Sequence, residues 1–123
     1  MAIADSNPMG ILGVDFVEYT GPGSFSFETL FKRMGFIQTA SGNANATHLF
    51  QQGKIKFVLN HEKGSFAESF AKVHGPAICS MAFHVQDATT AFKLAQNRGA
   101  RAYEGKEGKK LVNLPAVYGI GDS

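Results

Sequence analysis

Residues 78–99 read ICSMAFHVQDATTAFKLAQNRG, and residues 12–35 read LGVDFVEYTGPGSFSFETLFKRMG. Each begins with a strand-like run rich in β-branched and aromatic residues, continues with apolar positions at helical spacing, and closes on glycine. In the earlier stretch the strand runs from Leu12 to Tyr19 and breaks at Gly21-Pro22-Gly23. Phe27, Leu30, Phe31 and Met34 then fall at i, i+3, i+4 and i+7. In the later stretch the strand runs from Ile78 to Val85 and Asp87 is the helix N-cap. Ala88, Ala91, Phe92 and Ala95 repeat the helical spacing. The closing glycines, Gly35 and Gly99, stand 99 − 35 = 64 positions apart, so the chain reads as two related units of strand and helix.

Between the two stretches, Phe36 to Ser41 and Thr47 to Gln51 read as strands, separated by the polar loop Gly42-Asn43-Ala44-Asn45. After the turn at Gln52-Gly53, Ile55, Phe57 and Leu59 alternate with Lys56, Val58 and Asn60. That is a strand with one face in the core and the other mostly wet. Ser65-Phe66-Ala67-Glu68 has the spacing of a capping box, and Phe66, Phe70 and Val73 share one face of the helix it starts, which Gly75-Pro76 stops. Beyond Gly99, Arg101 to Glu104 and Leu111 to Asn113 read as strands joined by a turn at Gly105-Lys106-Glu107-Gly108. The expected fold is α+β: one domain over 1–123, with a strand-helix-three-strand module at 12–61, a connecting helix at 62–77 and a second module at 78–123 lacking its last strand. Such a module leaves a sheet edge free, to be filled by a longer chain or by another copy, and a dimer or aggregation is expected.

Composition narrows the function classes. The hydrophobic share is 44% and the charged share 18%, enough for one core and too little charge for a disordered polyelectrolyte. Net charge is +2, with basic residues single or in the short pairs Lys32-Arg33 and Lys109-Lys110, so no stripe tracks a nucleic-acid backbone. The single cysteine, Cys79, has no internal disulfide partner and reads as a buried small hydrophobe in a reducing compartment. No apolar run approaches a membrane span and the first residues lack a signal-peptide pattern, so a cytoplasmic protein is expected.

The four histidines, His48, His61, His74 and His84, form no local ligand motif and read as surface or structural groups. His84 with Glu18 is the pair to examine, because both lie on the first strands of their units; metal ligation and a structural hydrogen bond both remain open for it. Cys79 has no neighbouring cation to stabilise a thiolate, and the Gly105–Gly108 segment lacks the spacing of a phosphate loop.

Several segments, in order, carry a resemblance. Asn7-Pro8-Met9-Gly10 leads to Phe16-Val17-Glu18-Tyr19-Thr20, and Leu30-Phe31 precedes Met34-Gly35-Phe36. Gln52-Gly53-Lys54-Ile55, Phe57-Val58-Leu59-Asn60, Ser65-Phe66-Ala67 and His74-Gly75-Pro76 follow. Met81-Ala82-Phe83, Asp87-Ala88, Glu104-Gly105, Asn113-Leu114-Pro115-Ala116 and Gly119-Ile120-Gly121 complete the string. The chain resembles the vicinal oxygen chelate (glyoxalase-like) superfamily, and within it the N-terminal domain of 4-hydroxyphenylpyruvate dioxygenases, over nearly its whole length. The resemblance implies a domain that supports a C-terminal catalytic half and oligomer contacts. That half uses Fe(II), held by two histidines and a carboxylate, to convert 4-hydroxyphenylpyruvate to homogentisate in tyrosine breakdown. A hydroxymandelate synthase is the near relative within the same class. At the positions where the superfamily places strand histidines this sequence carries Phe16 and Ser80, and the strand bearing the carboxylate would lie beyond Ser123. No catalytic, cofactor-binding or metal residue is therefore assigned, no cofactor is expected in this chain, and the chain alone is expected to be inactive. The alternative is a stand-alone small-ligand module of the glyoxalase/bleomycin-resistance type, suggested by the many Phe on core-facing strands.

Overall fold

A computed structural model describes residues 6–21, 26–42, 46–105, 114–120 and 123. The elements are β1 (Ile11–Thr20), α1 (Phe27–Arg33), β2 (Ile37–Gly42), β3 (Thr47–Gln52), β4 (Ile55–Asn60), α2 (Phe66–His74), β5 (Ala77–Val85) and α3 (Ala88–Asn97). Among the described residues one sheet of five strands runs in the order β2-β3-β4-β1-β5. β1 and β4 are parallel, which requires a long crossover, and α1, β2 and β3 supply it. Every other neighbouring pair is antiparallel. The first strands of the two repeated stretches, β1 and β5, thus lie side by side in one α+β sheet.

Local chemistry fixes the helix ends. Ser26 caps α1 by accepting from Thr29 N–H, Glu28 sits in its positive first turn, and Lys32 and Arg33 sit in its negative last turn. Gly35 follows in the left-handed region at φ 96°. Ser65 Oγ accepts from Glu68 N–H at 3.1 Å at the start of α2. The Glu68 carboxylate takes the Gly64 N–H at 3.2 Å rather than that of Ser65, a capping box displaced by one residue.

The core lies between α1 and one face of the sheet. Phe27, Phe31, Phe36, Phe50 and Leu59 are buried there, with Tyr19 and Phe57 packed against them. Phe36 stacks on Phe57 at 4.4 Å between centroids, and Phe31 meets Phe50 edge-on at 5.3 Å. Such contacts add about 0.5–1.5 kcal/mol each beyond the area they bury.

Several sequence expectations are corrected. Only Phe27 and Phe31 of the α1 stripe are buried; Leu30 and Met34 face out at the helix edge. Val73 is 77% exposed, because α2 is held at its other end, where Ala67 is buried and its carbonyl accepts from Thr20 Oγ1 at 2.9 Å. On the apolar face of α3, Ala91, Phe92 and Ala95 are partly buried and Ala88 is exposed, so none is fully buried. Ile55 is exposed at the start of β4, while Asn60, read as wet, is 1% exposed. Arg101–Glu104 forms no strand, only an isolated bridge between Ala102 and Val117. The expected strand at Leu111–Asn113 and most of the turn at 105–108 lie outside the described residues. No described helix is long and apolar enough to cross a membrane.

Candidate functional site

Period-two alternation sends Tyr19, Phe50 and Phe57 toward α1, and it sends Phe16, Glu18, Leu49, Lys56, Val58 and Asn60 to the opposite face. The opposite face holds a groove of about 410 Å³, whose walls include Phe16, Leu49 and Val58, with Asp15, Thr47 and Lys56 among its polar groups. The β1–β5 register shifts by one residue between Val14 and Phe16, a bulge that lets the consecutive residues Asp15 and Phe16 both line the groove. Lys56 Nζ stands 3.7 Å from Asp15 Oδ1, and both side chains are 42% exposed.

Farther along the same face is a buried polar cluster. Glu18 is 4% exposed. Asn60 Nδ2 donates to its Oε2 at 2.8 Å, and Ser80 Oγ donates to its Oε1. Asn60 Oδ1 in turn accepts from Glu62 N–H at 2.9 Å. One carboxylate therefore ties together β4, β1 and β5. Cys79 lies beside it, fully buried. Burial, then the negative charge of Glu18 and its hydrogen bond, push the thiol far above its ordinary pKa. A thiol held protonated is no nucleophile at neutral pH, and a carboxylate with both oxygens engaged is a clamp rather than an acid or base in waiting.

The expected site residues fall as follows. Phe16 pairs with Ala82 and Ser80 pairs with Glu18, so the two are not opposite each other. His84 pairs with Gly13 and is exposed, whereas Glu18 is buried against Ser80; the His84–Glu18 pair does not form. His48, read as exposed, is half-buried, with Nδ1 3.1 Å from Gln38 Nε2 and 3.2 Å from Ser41 Oγ. His61 is exposed, and His74 stacks on Phe70 at 4.3 Å. Among the described residues no three His, Cys, Asp or Glu converge as a metal site. The donors around Glu18 are an amide, a hydroxyl and a protonated thiol, which do not fit a two-histidine, one-carboxylate iron centre. The ligand-box reading also loses its motivation, because Phe27, Phe31, Phe36, Phe50 and Phe57 fill the core and Phe16 is the phenylalanine that faces the groove. The Asn60 and Ser80 partners of Glu18 escaped sequence reasoning. The signal available was an acidic residue inside an apolar strand.

Comparison with known proteins agrees with this architecture. The chain is 46% identical to Hemolysin VllY of Vibrio vulnificus over 120 residues, 95% of this chain and 34% of that protein. It is 42% identical to the 4-hydroxyphenylpyruvate dioxygenase of Pseudomonas sp. strain P.J. 874 over 115 residues, 94% of this chain and 32% of that protein. Among solved structures, a xylose isomerase-like TIM barrel/4-hydroxyphenylpyruvate dioxygenase fusion protein superposes with a TM-score of 0.80 at 30% identity. That match covers 92% of this chain and 18% of the fusion. The chain thus spans about a third of the length of these curated relatives. The profile of the family described as "Hydroxyphenylpyruvate dioxygenase, HPPD, N-terminal" matches residues 5–123, and the chain belongs to that family.

Proposed function

We propose that this chain is the non-catalytic N-terminal domain of an Fe(II)-dependent, cytoplasmic 4-hydroxyphenylpyruvate dioxygenase that forms homogentisate in tyrosine catabolism. The carrying observation is the family match over residues 5–123, joined to a dioxygenase relative of which the chain covers only about a third. In this reading iron and substrate belong to the C-terminal catalytic half, and the domain's work is to present a rigid sheet to that half and to sister subunits. The cluster at Glu18 supports a scaffold role, since its polar groups are spent on one another. In this reading residues 78–123 belong to the second module, and β5, the outer strand of the described sheet on that side, is the edge along which that module would be completed.

The test has two arms. The 123-residue chain, purified with and without Fe(II), is expected to carry no stoichiometric iron by elemental analysis and to consume no oxygen with 4-hydroxyphenylpyruvate. Replacing the first third of the Pseudomonas dioxygenase with this chain is expected to retain turnover. Tight iron or turnover in the isolated chain would overturn the scaffold assignment, and a soluble chimera without turnover would overturn the partnership.

A further inference from the structure

The groove on the sheet face opposite α1 is not used by the scaffold role. Its apolar lining includes Phe16, Leu49 and Val58, and beside Ser41, Thr47 and His48 it holds one acid and one base, Asp15 and Lys56. Their 3.7 Å separation lies beyond ordinary hydrogen-bond length, and both groups are less than half exposed. An ion pair this open contributes little to stability, so each charge is available to a better partner. The bulge at Val14–Phe16 brings the carboxylate to the groove at all: in an unbroken strand, Asp15 and Phe16 would face opposite ways.

From this geometry we infer that the groove is a binding site for a small zwitterion with an apolar side chain, an α-amino acid. Such a molecule carries its ammonium and carboxylate on one carbon, which matches an acid and a base held side by side. The ammonium meets Asp15, the carboxylate meets Lys56, and the side chain lies on Phe16, Leu49 and Val58. A ligand with a single charge makes one charge-assisted contact in place of two, so it binds less well. The groove volume of about 410 Å³ is at the lower end of small-molecule sites, which suits a ligand of this size.

The inference is tested by calorimetric titration and thermal shift of the 123-residue chain with L-phenylalanine, L-leucine, phenylacetate and phenethylamine. L-Phenylalanine is expected to bind in the roughly millimolar range or tighter, and the two single-charge analogues roughly tenfold more weakly, as loss of a charge-assisted contact requires. Asp15→Asn and Lys56→Met, both at half-exposed positions, are expected to fold with circular dichroism like the parent's and to lose L-phenylalanine binding to the same degree. Three results would each overturn the inference: no heat or shift with either amino acid, equal binding of phenylacetate and L-phenylalanine, or unchanged binding by both variants. None of these readouts depends on iron or turnover, so the domain's assignment stands or falls separately.

Discussion

Glu18 joins β4, β1 and β5 through one buried carboxylate. Removing its carboxylate leaves Asn60 Nδ2 and Ser80 Oγ without their acceptor in a dry place, and each orphaned group costs about 1–3 kcal/mol. Glu18→Ala is therefore expected to lower unfolding free energy by several times what an exposed pair such as Glu28–Lys32 contributes. A urea titration that moved by less than about 0.5 kcal/mol, the range of ordinary surface changes, would show that the cluster is not a clamp. Cys79 gives a second expectation. Its folded pKa is raised, so as pH climbs past the ordinary thiol value of about 8.5 the unfolded chain loses a proton that the folded chain keeps. Stability must then fall with rising pH, and the Tyr19 hydroxyl, raised by its partial burial, extends the decline above about pH 10. Melting temperatures between pH 7 and 10 should drop for the parent and drop less for Cys79→Ala; parallel curves would remove the thiol from the account.

At the scale of elements, the two glycines that follow α1 and α3 are not equivalent. Both have positive φ, 96° at Gly35 and 103° at Gly99, so a side chain is strained at either. A Cβ at Gly35 would also stand 2.6 Å from Gln52 Nε2, which donates to the Met34 carbonyl at 3.0 Å, whereas a Cβ at Gly99 meets nothing within 4 Å. Gly35→Ala is expected to lower the melting temperature more than Gly99→Ala, and the reverse order would mean that Gln52 gives way freely. The same elements show what the sequence made legible. Helical spacing located α1 and α3, alternation located β4, and the flanking loop and turn located β3 to within a residue or two. Burial was less legible, because it depends on what lies opposite. The face of α3 has the right period, yet no residue of it is fully buried. Asn60 is polar and was placed in water, yet the fold satisfies it with Glu18 and Glu62 and closes over it. The bulge that turns Asp15 toward Lys56 is a matter of inter-strand register, which no local period encodes.

The whole molecule presents more apolar surface than its scaffold explains. Ile78, Met81 and Phe83 on β5 are about half exposed, on the strand that closes the described sheet. Full burial of an exposed side chain of this kind is worth about 1.5–3 kcal/mol, so covering the exposed half of each is worth about 1 kcal/mol, and three together on one strand favour association. Sedimentation at rising concentration is expected to show self-association of the isolated chain, and Phe83→Lys should suppress it. A clean monomer at every concentration would remove β5 as a contact surface.

The parallel pairing of β1 with β4 also sets an order of events in time. β2, β3 and β4 follow one another as hairpins and can zip together from neighbouring chain, whereas β1 reaches β4 only after everything between them has been gathered in. Non-local pairing is slow because loop entropy is lost before contacts reward it. Refolding should therefore nucleate in the β3–β4 hairpin, so that Leu59→Ala slows the folding limb of a chevron. Glu18→Ala should chiefly hasten unfolding, because the strand that carries its carboxylate arrives last.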